Sequence, residues 1–391
     1  MKLKIAIFSD FHCHSLERNK NTQESYLLTD IEIDVYQDPF ESLIKLIEDG
    51  SDLSSDILIL PGDFANKCDP DGLEQGWAIA KNIGALLKVE AIIPTVGNHD
   101  VDSRKTYHTD PFHHIKTFAK DFPFPESSMN ERFWRQGYII IENDRYRILN
   151  INSVHSHTDE EMAKKGLISQ EALNQIEREL DGSSIDKINI AICHHNPIEH
   201  SHYNTGSKDF MHNGDELISI LDRMNFDLII HGHKHDPRIR YAQGGANAPT
   251  VFSSGSFAAF KNLLLQGANN TFHIITLECN DTHIGNGTID TWFFVPTKGW
   301  KQNVRNSFFE PKIGFGKVVD IRALSIKIYD WFIKQKINYI EWEELAKEFI
   351  EIDFMIPSDL EKLKSELRGR NILVSPIILN EPTFVQFKRK I

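Results

Sequence analysis

Val96-Gly97-Asn98-His99-Asp100 is the stretch on which the fold turns. It follows an apolar run, Ala91–Val96, that predicts a buried parallel strand. Gly97 turns the chain and three polar side chains follow at once. Asn, His and Asp together at the C-terminal end of a strand are costly unless something pairs them. In an open α/β sheet that edge is where ligands bind. Taken alone, the triplet is equally what an Asx-type turn looks like. Four further polar clusters, each after its own apolar run, overturn that plainer reading.

Upstream, Lys4–Phe8 predicts the first strand and ends in Ser9-Asp10-Phe11-His12. Asp10 and His12, two apart, share a side of an extended backbone, and a carboxylate beside an imidazole suits Mn, Fe or Zn. Asp56–Leu60 predicts the second strand and delivers Pro61-Gly62-Asp63, with Gly62 allowing a sharp turn. Asp38 as N-cap and Pro39 at the first position open a helix striped by Phe40, Leu43, Ile44 and Ile47 and stopped by Gly50. A second helix, Leu73–Lys88, is capped by Asp71 and packs through Trp77, Ile79, Ala80, Ile83 and Leu87. The order β–α–β–α–β is that of a parallel or mixed layered sheet. Residues 13–37 are polar and irregular, a loop insertion over the sheet edge in the position of a lid.

Downstream, residues 101–135 read as a site-flanking loop with a helix near His113–Lys120, where His113 and His114 serve the surface or the packing. Tyr138–Ile141 and Arg145–Ile151 predict a hairpin around Asn143-Asp144. It leads to His155 and His157, which share a face near the sheet edge and are candidates for substrate contact. After a helix over Gln170–Leu180, the strand Lys187–Cys193 ends in His194-His195-Asn196-Pro197. After another over Gly214–Met224, Phe226–Ile230 ends in His231-Gly232-His233-Lys234-His235. His233 and His235 can converge on one centre, and Gly232 permits close backbone approach. Thr250–Ser253, Thr271–Leu277 and Gly287–Phe294 are β-rich and predict a second sheet.

The 391 residues, 40% hydrophobic and 25% charged, exceed what one compact domain usually holds. No apolar run approaches the roughly 18–20 residues that span a bilayer, and no signal-peptide pattern precedes the first strand. Cys13, Cys68, Cys193 and Cys279 form no C-x-x-C pair and no disulfide framework, so a reducing cytoplasm is expected. Net charge is −13, against tight non-specific binding of nucleic acid. Residues 1–316 hold 30 basic and 44 acidic side chains, a balance of −14, whereas 317–391 hold 13 and 12. Pro296, Gly299, Pro311, Gly314 and Gly316 mark 296–316 as a linker between a domain over 1–295 and a module over 317–391. In the module, Ile321, Leu324, Ile328 and Trp331 form one helical stripe, Trp342, Leu345 and Phe349 another, and Leu360, Leu363 and Leu367 a third closed by Gly369. With short β-like runs at Ile372–Val374 and Thr383–Phe387, this predicts a winged-helix-like module. Its near-neutral charge points to a protein partner or self-association rather than to DNA.

Taken in order, Asp10-x-His12, Gly62-Asp63, Gly97-Asn98-His99-Asp100, His194-His195 and Gly232-His233-x-His235 resemble the motifs of the calcineurin-like metallophosphoesterase superfamily, over roughly residues 1–277. The resemblance implies an α/β four-layer α/β/β/α sandwich around a two-metal centre. It implies that Asp10, His12, Asp63 and His235 hold a first ion and that Asp63, Asn98, His194 and His233 hold a second, with Asp63 bridging. His194 is taken over His195 because the first His of the family's pair is the ligand. His99 would stand beside the metals near the leaving group, and Asn98, His99, His155, His157 and His195 make the expected substrate contacts. Mixed N/O ligands admit Mn²⁺, Fe²⁺/Fe³⁺ or Zn²⁺ alike.

The chemistry needs these groups. A phosphodiester is anionic and repels hydroxide; two divalent ions ~3.5–4 Å apart screen that charge and lower the pKa of a bridging water. In-line attack then expels an alkoxide that His99 protonates or stabilises. Gly62-Asp63 is followed here by Phe64-Ala65-Asn66-Lys67, and the other motif ends in Asp100. Protein Ser/Thr phosphatases of the superfamily carry a downstream Arg and a Glu at these places, so the pattern is closer to the cyclic-nucleotide and related phosphodiesterases. Asn196 interrupts the family's usual His-His-Pro-Pro. The expected substrate is a nucleotide, cyclic nucleotide or similar small phosphodiester. A DNA or RNA nuclease is a second reading, opposed by the acidic balance although the module could add contacts. A non-catalytic phosphate-binding scaffold is a third, opposed by the full ligand set.

Overall fold

Short runs of Ile, Leu and Val make the strands, because branched side chains fit the pleat and each run is covered on both faces. The computed structural model describes residues 2–159, 162–180, 187–200, 210–242, 249–264, 268–278, 285–302, 304, 309–316, 318–375 and 382–388. The chain divides into two units, Met1–Gly285 with Asp290–Pro311, and Asn286–Ile289 with Lys312–Ile391.

In the first unit, β1 (Lys2–Ile7), α1 (Pro39–Glu48), β2 (Ile57–Leu60), α2 (Pro70–Leu86) and β3 (Ala91–Pro94) follow the expected alternation. Then come α3 (His113–Thr117), α4 (Ser127–Gln136), β4 (Tyr138–Glu142), β5 (Tyr146–Ile151), α5 (Gln170–Leu180), β6 (Ile188–Ile192) and α6 (Gly214–Arg223). The unit closes with β7 (Leu228–His231), β8 (Arg238–Tyr241), β9 (Thr250–Ser253), β10 (Thr271–Glu278), β11 (Asn286–Val295), from its residue Asp290 on, and β12 (Gly299–Lys301). One sheet has the order β12-β11-β10-β1-β2-β3 and the other β4-β5-β6-β7-β9-β8. Strands β1, β2 and β3 run parallel, as do β5, β6, β7 and β9.

Alternation along the strands builds four layers. Ala6 and Phe8 join the helix-side core with Leu43, Leu73, Ala80 and Ile83. Ile5 and Ile7 point the opposite way and are fully buried. Ala191 and Ile229 likewise face α5 and α6, while Ile190, Ile192 and Ile230 are buried on the other side. The two inner faces meet directly: Asn150 Nδ2 donates to Pro94 O and Thr95 Oγ1 to Ile151 O, both at 2.8 Å. Phe252 and His273 touch with ring centroids 4.9 Å apart.

Several expectations need correction. The late strands form no sheet of their own: β9 pairs with β7, and β10 returns antiparallel beside β1 with Lys2 opposite Glu278. An apolar period identifies a strand, but burial on both faces leaves its partner to long-range packing. Asp69 caps α2 in place of Asp71; its Oδ1 accepts from Gly72 N at 2.9 Å and Pro70 takes the first turn. Helix α4 was not foreseen, because its apolar face is only Met129, Phe133 and Trp134 in an otherwise polar stretch. Residues 296–316 carry strand β12, whose Trp300 is buried and donates to Pro39 O at 2.7 Å. The insertion at 13–37 is fastened rather than lid-like: Ser25 bridges to Ala259, and Asp30 accepts from Ser15, Leu16 and Glu17. Cys13, Cys68 and Cys193 are buried free thiols; Cys279 lies outside the described residues. Among the described residues no helix is long and apolar enough to cross a membrane.

The second unit holds β13 (Lys312–Phe315), α7 (Ile321–Gln335), β14 (Tyr339–Glu341), α8 (Trp342–Glu348), α9 (Pro357–Gly369), β15 (Ile372–Ser375) and β16 (Phe384–Phe387). Leu324, Ile328, Phe332, Leu345, Leu363, Leu367 and Val385 form its core. The three helices and the hairpin fall where the apolar stripes placed them, and β14 adds a third strand beside β16.

Candidate metal centre

Five strand ends deliver the polar clusters to one place. Asp10 follows β1, Asp63 follows β2, Asn98 and His99 follow β3, His194 follows β6, and His233 and His235 follow β7. The centre therefore lies at the C-terminal edges of both sheets, where α/β sheets bind ligands. The side chains do not converge by pleat alternation. Asp10, His12, Asp63, His233 and His235 all have left-handed φ, at 57°, 51°, 58°, 74° and 51°. Each such residue is strained by about 1–3 kcal/mol and is held there by its surroundings. Gly97 is required by the crossing of two loops: a Cβ on it would lie 2.1 Å from Asp63 Oδ1. At Gly232 a Cβ would lie 2.5 Å from Asp10 Oδ2.

All seven expected ligands come together. Among the described residues, Asp10-His12-His235, His12-Asp63-His99 and Asp10-Asp63-His194 each gather their ligand atoms within 4.8 Å. His235 Nε2 stands 3.3 Å from Asp10 Oδ1 and 2.9 Å from His12 Nε2. Asp63 Oδ2 stands 3.7 Å from His12 Nε2 and 3.3 Å from His194 Nε2. Asn98 Oδ1 lies 3.0 Å from His194 Nε2 and 2.9 Å from His233 Nδ1. The donors are hard oxygens and borderline imidazole nitrogens, the set that suits divalent Mn, Fe or Zn. The three groups overlap through Asp10, His12 and Asp63, so the residues fit a pair of neighbouring ions. The ring nitrogens of His12 and His235 share at most one hydrogen between them, whereas a cation satisfies both lone pairs.

The electrostatics are prepared for cations. Burial works to raise the Asp63 carboxyl, but His194 and His99 hold it at about 2. Burial opposes protonation of His194, and Asp63 raises it to about 9. Burial also works to raise Asp10, yet His12 and His235 hold it well below the usual carboxylate range. Burial and the neighbouring Asp63 push Asp100 up to about 7.

Asp100 is a residue whose part was missed. It accepts from Gly97 N, Asp63 N and Ala65 N at 2.8, 2.9 and 3.0 Å, tying the loop after β2 to the loop after β3. Asp100 makes the turn, while Asn98 Oδ1 lies with His194 and His233. Asn66 was missed as well. Its Oδ1 lies 2.9 Å from His99 Nδ1, and its Nδ2 donates to Glu24 of the insertion. His99 itself is half-buried, with its ring edge-to-face on His12 at 4.7 Å.

The other expected substrate contacts, His155, His157 and His195, are engaged by neighbouring groups of the fold. His155 Nε2 turns to Trp134 O at 2.9 Å, and His157 Nε2 to Lys165 O at 2.8 Å. Residues 153–156 form a turn, so the two side chains do not follow strand alternation. His195 is fully buried; its Nδ1 meets Ser153 Oγ at 2.9 Å and its ring backs His233 at 4.4 Å.

Comparison with known proteins adds the family. The calcineurin-like phosphoesterase model matches residues 3–237, and a calcineurin-associated wHTH model (wHTH-Calcineurin_assc) matches residues 313–368. No curated protein matches the chain. A purple acid phosphatase from yellow lupin (Lupinus luteus) seeds superposes with a TM-score of 0.50 at 15% identity, covering 81% of this chain and 54% of that one. A dimetal phosphatase from Danio rerio gives 0.48 at 11% identity, covering 75% and 96%. At such identities the likeness concerns the fold alone. The sequence match is of another kind, since it spans more than half of the chain and takes in every cluster from Asp10 to His235. The chain belongs to the calcineurin-like phosphoesterase family, and its chemistry is metal-dependent hydrolysis of phosphate esters.

Proposed function

We propose that this protein is a two-metal phosphodiesterase acting on a nucleotide, a cyclic nucleotide or a similar small phosphodiester. Asp10, His12, Asp63 and His235 hold one divalent ion, Mn²⁺, Fe²⁺/Fe³⁺ or Zn²⁺, and Asp63, Asn98, His194 and His233 hold the other. The observation that carries this reading is the position of Asp63, whose Oδ2 is within 3.7 Å of His12 Nε2 and 3.3 Å of His194 Nε2, one from each cluster. When bound, the ions supply charge neutralisation and an acidified water, which the side chains alone do not.

The chain's own residues supply the rest. Asp100 holds the Asp63 and Gly97 amides, so the bridging carboxylate is oriented before substrate arrives. His99 Nδ1 accepts from the Lys67 amide at 3.3 Å beside Asn66, which keeps the hydrogen of the neutral ring on Nε2 for the departing oxygen. Lys67, next to His99 in the fold, is already paired with Glu24 at 2.7 Å. A monoester dianion asks for more free positive charge than a diester does, and that pairing favours the diester. The test is hydrolysis of bis-(p-nitrophenyl) phosphate against p-nitrophenyl phosphate after EDTA treatment, with Mn²⁺ restored. Metal-dependent preference for the diester is expected; preference for the monoester, or full activity without metal, overturns the reading.

For the module over 317–391 we propose a protein partner or self-association. Lys362 and Lys364 on α9 pair with Asp359 and Glu361 of the same helix, at 2.8 and 2.6 Å, and Arg370 lies 3.7 Å from Glu366. Cations so engaged are poorly placed to neutralise phosphates. Ile326, Ile333, Tyr339 and Ile350 are exposed instead. Steeply salt-dependent binding of duplex DNA by the full chain would replace this proposal with a nucleic-acid one.

A further inference from the structure

We infer that the second unit associates with itself head to tail: the exposed Ile350, with Glu348 and Glu351 beside it, docks into a cationic hollow on the far side of α7 in a second copy of this chain. This rests on the reading of the module as one that binds protein.

The hollow is built from α7, the end of α9 and β16. Tyr329, Ile333 and Phe387 give it apolar walls, Arg370 and Lys388 stand among them, and its volume is about 620 Å³. Tyr329 and Ile333 are four apart and so share one face of α7. Tyr329 meets Phe387 edge-on, with ring centroids 5.4 Å apart, and Ile333 is 45% exposed. Arg370 Nε donates to Ser325 Oγ at 2.9 Å, and its guanidinium lies 3.7 Å from Glu366. Among the described residues Lys388 has no acidic partner. A hollow of this kind asks for an apolar side chain flanked by acids.

The same unit carries one. Residues 341–353 hold six acidic side chains and one basic one, Lys347. Among them Ile350 is 62% exposed and opens a 3₁₀ turn, Ile350–Phe354. A lone exposed isoleucine is ordinary; its setting is what gives it a partner. Glu348 is exposed on one side of it and Glu351 half-buried on the other. The turn is fixed, since Ile352 and Met355 are buried in the core and Ile352 N donates to Phe349 O at 3.0 Å. A side chain held out on a fixed turn leaves little backbone freedom to be lost on docking.

One copy cannot fill its own hollow. Phe349, next to Ile350, lays its ring against Trp331 with centroids 6.1 Å apart. Trp331 is two residues from both Tyr329 and Ile333, a rotation of about 200° on an α-helix, so it points from the opposite face. Knob and hollow therefore lie on opposite sides of α7, and every copy presents both. Such a contact is heterologous: it joins copies into a ring or a line rather than a symmetric pair. The module's charge sums to nearly zero, yet its acidic and basic surfaces are apart, so a second copy meets opposite charge.

The experiment is sedimentation velocity of the full-length protein over a concentration series. Association beyond the monomer is expected, weakened by high salt because the flanking pairs are exposed. Ile350→Asp spoils the knob and Ile333→Asp spoils the hollow. Both positions are exposed, so melting temperatures are expected to stay parental, while each change weakens association about 10-fold or more. Mixed in equal amounts, the two variants are expected to form a dimer and nothing larger, because the intact Ile350 of one fits the intact hollow of the other. Variants that stay apart when mixed, or a parent that is monomeric throughout the series, overturn the inference. Association of the parent that neither variant weakens overturns it too, while leaving the module's self-association standing. A monomeric parent that binds duplex DNA overturns both.

Discussion

The two units treat charge in opposite ways. In the first, Asp10, Asp63, Asp100, His12 and His194 are buried at strand ends, and several sit on strained backbone. In the second, ionic side chains run along the helix surfaces and answer one another, as Lys347 does Glu344 on α8. Buried polar groups that converge without enough hydrogen are unfavourable until something else satisfies them. Exposed pairs on a helix are each worth only about 0–1 kcal/mol and ask for nothing further. The contrast locates the chemistry: a ligand is needed where the protein holds groups against their solvation, and not where it balances its own surface.

Substitutions can break or sharpen that contrast. The largest effect is expected at Asp63, the acid proposed to serve both ions. Asp63→Asn should lower kcat/KM by roughly a thousand-fold or more and reduce bound metal by elemental analysis. Near-normal turnover would mean that the buried acids are not working ligands. His194→Ala and His195→Ala divide ligand from support within one dipeptide. The first should weaken metal binding about 100-fold in a titration and the second less than about 10-fold, and a reversed order would exchange their roles. In the second unit, Leu363→Ala removes a fully buried side chain and should cost about 2–5 kcal/mol in thermal unfolding. Hydrolysis of a small ester at room temperature should be unchanged, and a parallel fall would show that the module's packing governs the centre.

Smaller effects test the edges of the contrast. Glu24 is held at about 2 in the folded chain against an ordinary value of 4.5. A depressed carboxyl stabilises the fold above the ordinary value and loses that contribution as pH falls from 4.5 towards 2. Glu24→Gln should therefore flatten the loss of stability in that window by about 1–3 kcal/mol, measured as urea unfolding at stepped pH. An unchanged acid limb would mean the contact with Lys67 is absent in solution. Lys347→Ala on α8 should change stability by about 0.5 kcal/mol or less, since it and its partner Glu344 are both exposed.

The centre was legible because it is announced locally. Each cluster directly follows an apolar run, and only the strand end has to be recognised to bring Asp10, Asp63, Asn98, His194 and His233 to one edge. The same-face argument placed Asp10 with His12, and His233 with His235, but the structure achieves this by left-handed residues rather than by pleating. Where no such residue redirects the chain, as in the turn at 153–156, the argument misplaced His155 and His157. The partner of β10 was hidden because both its faces are buried and no local pattern chooses a neighbour. The contacts of Glu24 were hidden for a related reason: its partners Asn66 and Lys67 follow a distant strand end.

The left-handed residues at the centre also bear on how this protein would change under selection. Glycine meets no steric penalty at such φ values, so a glycine replacing Asp10, His12, Asp63, His233 or His235 would relieve strain while deleting a donor. A population screened for heat resistance alone would be drawn to those five substitutions and would lose its chemistry while improving its fold. Stability screens of this chain should therefore carry a turnover assay from the first round, because here the easiest route to a tougher protein runs through the residues that make it useful.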